Sequence, residues 1–188
     1  MVVSLAVAEI GELEALTEQT PELALREAVP LLSRLVKDRA FLDEHVLPLL
    51  QEAEGAEEWY VAHRCDSQDG SYSLQVFVWP PETRTQIHDH TCWGAYRCMV
   101  GSVLEERYER WDDGLRLEHA RLKKLWQLSW SPEDGASTVL PGNGGIHRVG
   151  NPNAETAITV HLYGPRLGEV DGHEYDPSRN YVCDRFDA

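Results

Sequence analysis

IHDHTCWGAYRCMVG, Ile87 to Gly101, places two histidines, His88 and His90, one residue apart in a run of strand-forming residues. In a strand, alternate side chains share a face, so the two imidazoles face the same way. Imidazole is the commonest metal ligand at neutral pH. An isolated His-x-His pair is a weak signal and needs further ligands to become a site. A third histidine follows in PGNGGIHRVGN, Pro141 to Asn151, where His147 stands just past a glycine pair. A glycine-rich turn leading into a short strand can aim a ligand across a barrel. Three neutral histidines without a carboxylate suit Fe(II), and on affinity grounds also Zn or Ni.

Outward from these histidines the chain reads as β. SYSLQVFVW, RCMVGSVLEERYERW, LRLEHARLKKLWQLSW, ASTVL and ETAITVHLY are rich in β-branched and aromatic residues, and SQDG, PPET, WDDG, SPEDG, PGNGG and GNPN punctuate them. Short strands at such regular spacing indicate an all-β sandwich or barrel. Before Trp59 the pattern differs. LEALTEQTPELALREAVPLLSRLVKD and AFLDEHVLPLLQEAE carry apolar residues at helical spacing, with Pro21 and Pro30 as boundaries or first-turn residues. The expected organisation is one structural domain. Residues 1–58 form a helical segment packed on a barrel, and residues 59–188 form the barrel with an irregular acidic tail, GEVDGHEYDPSRNYVCDRFDA.

The composition narrows the function. Seventeen basic residues against 32 acidic ones give a net charge of −15, which disfavours nucleic acid as a partner. No apolar run is long enough for a membrane helix. The opening MVVSLAVAEIGELEAL has no basic n-region and soon turns acidic, so the expectation is a cytoplasmic protein. Cys65, Cys92, Cys98 and Cys183 form no CxxC pair and read as free thiols. His45 reads as a helix-surface or core residue, His119 as strand surface and His173 as solvent-exposed, while Trp93, Tyr96 and Cys98 read as barrel core.

The histidine spacing resembles the cupin superfamily and, within it, the cysteine dioxygenase (thiol dioxygenase) family. The first cupin motif, G-x5-H-x-H-x3,4-E-x6-G, is matched by His88, His90, Gly94 and Gly101, with Gly94 in place of the ligand glutamate and Glu82 in place of the opening glycine. The second motif, near P-x-G-x2-H-x3-N, is matched by Pro141, Gly144, His147 and Asn151 with one extra residue in the turn. ETAITVHLYGP resembles the family's Ser-x-His-x-Tyr segment, with Thr159, His161 and Tyr163 at those positions.

The resemblance implies a cupin double-stranded β-helix, a jelly-roll barrel with N-terminal helices, mainly β. It implies one Fe(2+) per chain on His88, His90 and His147, with Zn or Ni able to take its place in purified protein. It implies catalytic roles for Tyr163, His161 and Thr159, and oxidation of a small free thiol, cysteine or 3-mercaptopropionate, to its sulfinate with both atoms of O₂. In animal members a cysteine is thioether-linked to the tyrosine. Here that position is Gly94, with Cys92 two residues earlier, so no thioether is expected. The family's carboxylate-binding arginine follows two residues after a tyrosine. Counted from Tyr60, that place is Ala62, which leaves Arg64 and Arg166 as substrate-binding candidates together with Tyr60. Two alternatives stay open: another metal-dependent cupin enzyme, an isomerase or hydrolase, and a non-catalytic small-molecule-binding cupin.

Overall fold

The computed structural model describes residues 19–165 and 170–186. Helix α1 (Pro21–Leu35) starts at Pro21, whose fixed φ suits a first helical position. Pro30 lies inside α1 and does not end it. An interior proline costs about 3 kcal/mol, and burial of Leu31, Leu32 and Leu35 on the sheet offsets this. A broken helical stretch follows: α2 (Arg39–Phe41), a π-helical turn at Leu42–Val46 and α3 (Leu49–Glu52).

Among the described residues, twelve strands form two antiparallel sheets. One sheet runs β1 (Tyr60–Asp66), β2 (Ser73–Trp79), β10 (Ala157–Tyr163), β5 (Gly94–Val100), β8 (Ser137–Val139). The other runs β12 (Tyr181–Phe186), β11 (Val170–Asp176), β4 (Ile87–His88), β9 (His147–Asn151), β6 (Val103–Arg110), β7 (Leu122–Trp130), with β3 (Thr83–Arg84) on β9. The acidic tail is therefore not irregular. Its described part makes the β11–β12 hairpin, which pairs with β4 and so reaches the histidine strand directly.

The five-stranded sheet is buried on both sides. Leu74, Val76 and Val78 of β2 and Ile158, Val160 and Leu162 of β10 pack with the apolar face of α1. Phe77 and Trp79 belong instead to an interior cluster with Tyr96, Val103 and Val149. This explains why every residue of β2 is buried, where a one-sided sheet would alternate. Among the described residues no helix is long and apolar enough to cross a membrane.

Candidate metal centre

His88 and His147 are direct cross-strand partners on β4 and β9, which puts both imidazoles on one face. His90 lies two residues beyond His88, and all three side chains are buried. One ligand atom from each lies within 4.8 Å of the others, and His90 Nε2 is 3.3 Å from His147 Nε2. Two nitrogens bound to one ion at right angles, each about 2.1 Å from it, would be about 3.0 Å apart. The glycine-rich turn is required for this placement. A Cβ on Gly145 would meet the Leu140 carbonyl oxygen at 2.1 Å, so only glycine lets the turn fold back before His147.

The ring protons are already committed. His88 Nδ1 donates to the Gln86 carbonyl at 2.9 Å, and His147 Nδ1 donates to Glu105 Oε1 at 2.9 Å. Both rings thus turn an Nε2 lone pair inward. Burial pushes the pKa of His88 well down, and burial lowers that of His147 against the opposing pull of Glu105. Lone pairs converging in a buried pocket repel one another unless a cation lies between them. The donor set therefore fits a divalent first-row metal ion, held by His88, His90 and His147.

Glu105, on β6, is a residue that the sequence motifs do not mark. It is fully buried and accepts from His147 Nδ1, from Ser137 Oγ at 2.6 Å and from Trp130 Nε1 at 2.9 Å, with Arg107 Nη2 2.9 Å away. Burial pushes its carboxyl up, but the His147 hydrogen bond, the Arg107 charge and the Ser137 hydroxyl outweigh this and hold it at about 2. A carboxylate on the far nitrogen of a ligating histidine fixes its tautomer and raises its basicity. The one available signal was strand alternation, which puts Glu105 on the face of the buried Val103.

On β10, Thr159, His161 and Tyr163 form a linear chain. Trp79 Nε1, which can only donate, gives its hydrogen to Thr159 Oγ1 at 2.8 Å. Thr159 Oγ1 then donates to His161 Nε2 at 2.7 Å, which assigns the His161 proton to Nδ1, and Nδ1 donates to the Tyr163 hydroxyl at 3.0 Å. Burial holds His161 at about 3, so the ring is neutral at physiological pH. Phe77 and Tyr96 clasp it with ring centroids 4.2 Å and 4.8 Å away. Trp79 is the other residue not anticipated, since an indole in a strand reads as core.

Tyr163 lines one cavity with the three histidines, His161, Trp59, Phe77, Trp79, Thr85, Val149 and Arg185. The cavity is narrow and encloses little free space among these side chains. A Cβ on Gly94 would stand 2.8 Å from Tyr163 Cδ1 and 2.9 Å from Cε1. The ring lies directly over Gly94, and no side chain there could approach the tyrosine without displacing it.

The other expected substrate residues lie elsewhere. A β-bulge between Val61 and His63 shifts the register of β1. Tyr60 and Ala62 consequently pack against the helix-side core, away from the histidines. Arg64 lands on the opposite face from Ala62, opposite Gln75, not on the same face as simple alternation suggests. Its Nε donates to both oxygens of Asp66, at 3.1 Å and 2.8 Å, and it lines a separate depression with Asp69, Tyr72 and Ser73. Arg166 lies outside the described residues. The His173 side chain is 46% exposed, with its Nδ1 3.2 Å from Asp89 Oδ1, and its backbone N–H donates to the same oxygen at 2.8 Å.

Two antiparallel sheets closing round inward-facing histidines, with helices packed on one outer face, define a cupin barrel. Residues 53–178 match the family described as cysteine dioxygenase type I, and the chain belongs to that family. Solved structures similar to it include TT1209 from Thermus thermophilus, with 19% identity over 60% of this chain and 88% of that one and a TM-score of 0.41. A cupin 2 conserved barrel domain protein from Salinispora arenicola is 16% identical over 56% of this chain and 73% of that one, with a TM-score of 0.39. The Schizosaccharomyces pombe Cnp3 cupin domain is 11% identical over 57% of this chain and 61% of that one, with a TM-score of 0.42.

Proposed function

We propose that the protein is a non-haem iron thiol dioxygenase that converts a small free thiol and O₂ into the corresponding sulfinate. The observation that carries this reading is the meeting, in one small cavity, of three histidine donors and the Tyr163 end of a buried hydrogen-bond chain. Membership of the cysteine dioxygenase type I family supports it. Ferrous iron supplies electrons toward O₂ and acidifies a thiol brought to it.

The chain's own residues do the rest. His88, His90 and His147 hold the ion, and Glu105 keeps His147 in the ligating tautomer. Trp79 and Thr159 orient His161, whose Nδ1–H is committed to Tyr163. The Tyr163 O–H is then the donor end of the chain, placed to stabilise negative charge developing on oxygen. Trp59, Phe77, Trp79 and Val149 make the remaining wall apolar, which limits water and side reactions. The balance is closed: one thiol and one O₂ give one sulfinic acid, with both new bonds formed at sulfur and no further reductant.

The test is O₂ uptake by iron-loaded protein across cysteine, 3-mercaptopropionate and 2-aminoethanethiol. The expected result is one O₂ consumed per thiol lost, with a product heavier than the thiol by two oxygen atoms. No uptake with any thiol, or formation of hydrogen peroxide and disulfide instead, would overturn it.

A further inference from the structure

Strand β7 ends the seven-stranded sheet and, among the described residues, pairs with β6 alone. It is nine residues long, while β8, the edge of the facing sheet, has three. Ser137 of β8 reaches Glu105 of β6, so the facing sheet stops over β6 and β7 overhangs it. Trp126 and Leu128 oppose the buried Arg107 and Glu105 and so lie on the interior face, yet they are 39% and 50% exposed. Such an edge offers a row of backbone N–H and C=O groups to another strand, and proteins ordinarily blunt it with charge. Lys123 and Lys124 stand at the start of β7, but both are drawn back onto β6. Lys123 Nζ is 3.1 Å from Glu109 Oε1, and Lys124 Nζ pairs with Glu106. A register shift between Lys124 and Trp126 sets them apart from the rest of the strand.

The residues after that shift read Trp126, Gln127, Leu128, Ser129, Trp130. Aromatic, polar, leucine, polar, aromatic is the same order in both directions, and no residue of it is charged. Antiparallel pairing of a strand with its own copy runs the sequence against its reverse, so this segment matches itself. With Leu128 on the two-fold axis, Trp126 lies opposite Trp130 of the second copy on the interior face, and Gln127 lies opposite Ser129 on the other. Aromatic pairs of this kind are favourable between strands. The same register carries Lys123 of one copy toward Glu133 and Asp134 of the other. Opposite charges thus flank the contact in a protein whose net charge of −15 otherwise opposes self-association.

We propose that the protein forms a two-fold dimer by antiparallel pairing of β7 with β7 of a second copy, centred on Leu128, so that the two seven-stranded sheets become one. A two-fold contact uses the same patch twice, and a segment that reads alike in both directions is what it requires. A strand of unrelated sequence would satisfy the backbone but not this pattern. Backbone bonds hold the edges together and the alternating side chains set the register. Trp126 and Leu128 of each copy are then covered by their counterparts. Trp130 also borders the metal centre, since its Nε1 donates to Glu105 at 2.9 Å.

The test is sedimentation equilibrium of the full chain over an about hundredfold range of concentration. Expected for the parent is a mass of twice the 21.3 kDa chain at the upper end. Leu128→Lys sets two lysines against each other on the axis and should raise the dimer Kd about tenfold or more. Leu47→Lys, at a leucine 42% exposed in the helical segment, should leave Kd unchanged. Leu128→Cys gives an independent reading. Directly opposite residues have Cα atoms about 4.5–5.5 Å apart, within reach of a disulfide. Mild oxidation should therefore link two chains through position 128, as peptide mapping would show, and Leu47→Cys should not link. Circular dichroism reports folding, and Leu128→Cys decides the matter if Leu128→Lys does not fold. A parent that stays at 21.3 kDa throughout would overturn the proposal and turn attention to a strand of another protein as the occupant. A dimer that Leu128→Lys does not weaken, or whose Leu128→Cys thiols stay unlinked, would overturn it as well.

Discussion

On β10, alternate residues of one strand do two different jobs. Ile158, Val160 and Leu162 face α1 and are aliphatic, while Thr159, His161 and Tyr163 face the cavity and are hydrogen-bonded in series. β2 repeats the division, with Leu74, Val76 and Val78 outward and Phe77 and Trp79 inward. The outer face contributes stability by removing apolar surface from water, with no directional bonds. The inner face buries polar groups, each of which must be satisfied by a neighbour. Damage to the outer face should therefore be read in unfolding, and damage to the inner face in metal binding and turnover.

The largest separation should come from Leu162→Ala. Leu162 is 1% exposed in the helix-side core. Losing it should cost about 3 kcal/mol of stability through transfer and cavity terms. Urea unfolding checks this, and the folded fraction should keep the parent's kcat. If turnover collapsed while stability held, the division between faces would be wrong.

Tyr163→Phe should invert that pattern. Removing one hydroxyl leaves ring packing intact but strands the buried His161 Nδ1–H, so stability should fall by about 1 kcal/mol or somewhat more, less than for Leu162→Ala. Turnover should fall about 100-fold, the scale of a lost charge-stabilising donor. Parallel measurement of kcat and urea midpoint decides the point, and unchanged kcat would remove Tyr163 from the chemistry.

A smaller effect is expected of Glu105→Gln. Gln keeps the shape but weakens the acceptor for His147 Nδ1. Metal affinity should fall about tenfold or somewhat more, measured by competition with a chromogenic chelator. A larger fall would mean that Glu105 also holds the fold together through Arg107 and Trp130.

A change of pH on metal-free protein reads the same buried rings. His161 is depressed to about 3, and His88 and His147 are lowered as well, mainly by burial. The unfolded chain takes up these protons below about pH 6.5 and the folded chain does not. Stability should thus be constant above that value and fall steadily as pH drops from about 6.5 toward 3. Glu105, held at about 2, adds a further loss below about pH 4.5. Thermal midpoints taken at pH 7, 6 and 5 should decline in that order, and a midpoint rising toward pH 5 would contradict the assignment of neutral buried rings.

The two faces were not equally legible. The histidine cluster and the Thr159–His161–Tyr163 series could be seen because a spacing of two and a glycine-rich turn are local signals. Their outward partners followed from the same alternation. The substrate side was harder to read because it depends on tertiary register. The bulge between Val61 and His63 puts Tyr60 and Arg64 on opposite faces of β1, and nothing in YVAHRCD announces it. The tail read as irregular because its acids and turn residues hide the pairing of β11 with β12 and β4. Glu105 and Arg185 are charged residues in strands, and a charged strand residue ordinarily means a solvent face. Their burial depends on partners that other strands bring to them, His147 for Glu105 and Asp171 for Arg185.

The central claim is that the inner face holds a metal on three histidines without which the fold still stands. Metal analysis of His147→Ala beside the parent, both purified without added metal and then loaded with ferrous ion, addresses it directly. The account predicts close to one ion per chain in the parent, a small fraction of that in His147→Ala, and superimposable circular dichroism spectra. Full metal occupancy in folded His147→Ala would contradict it.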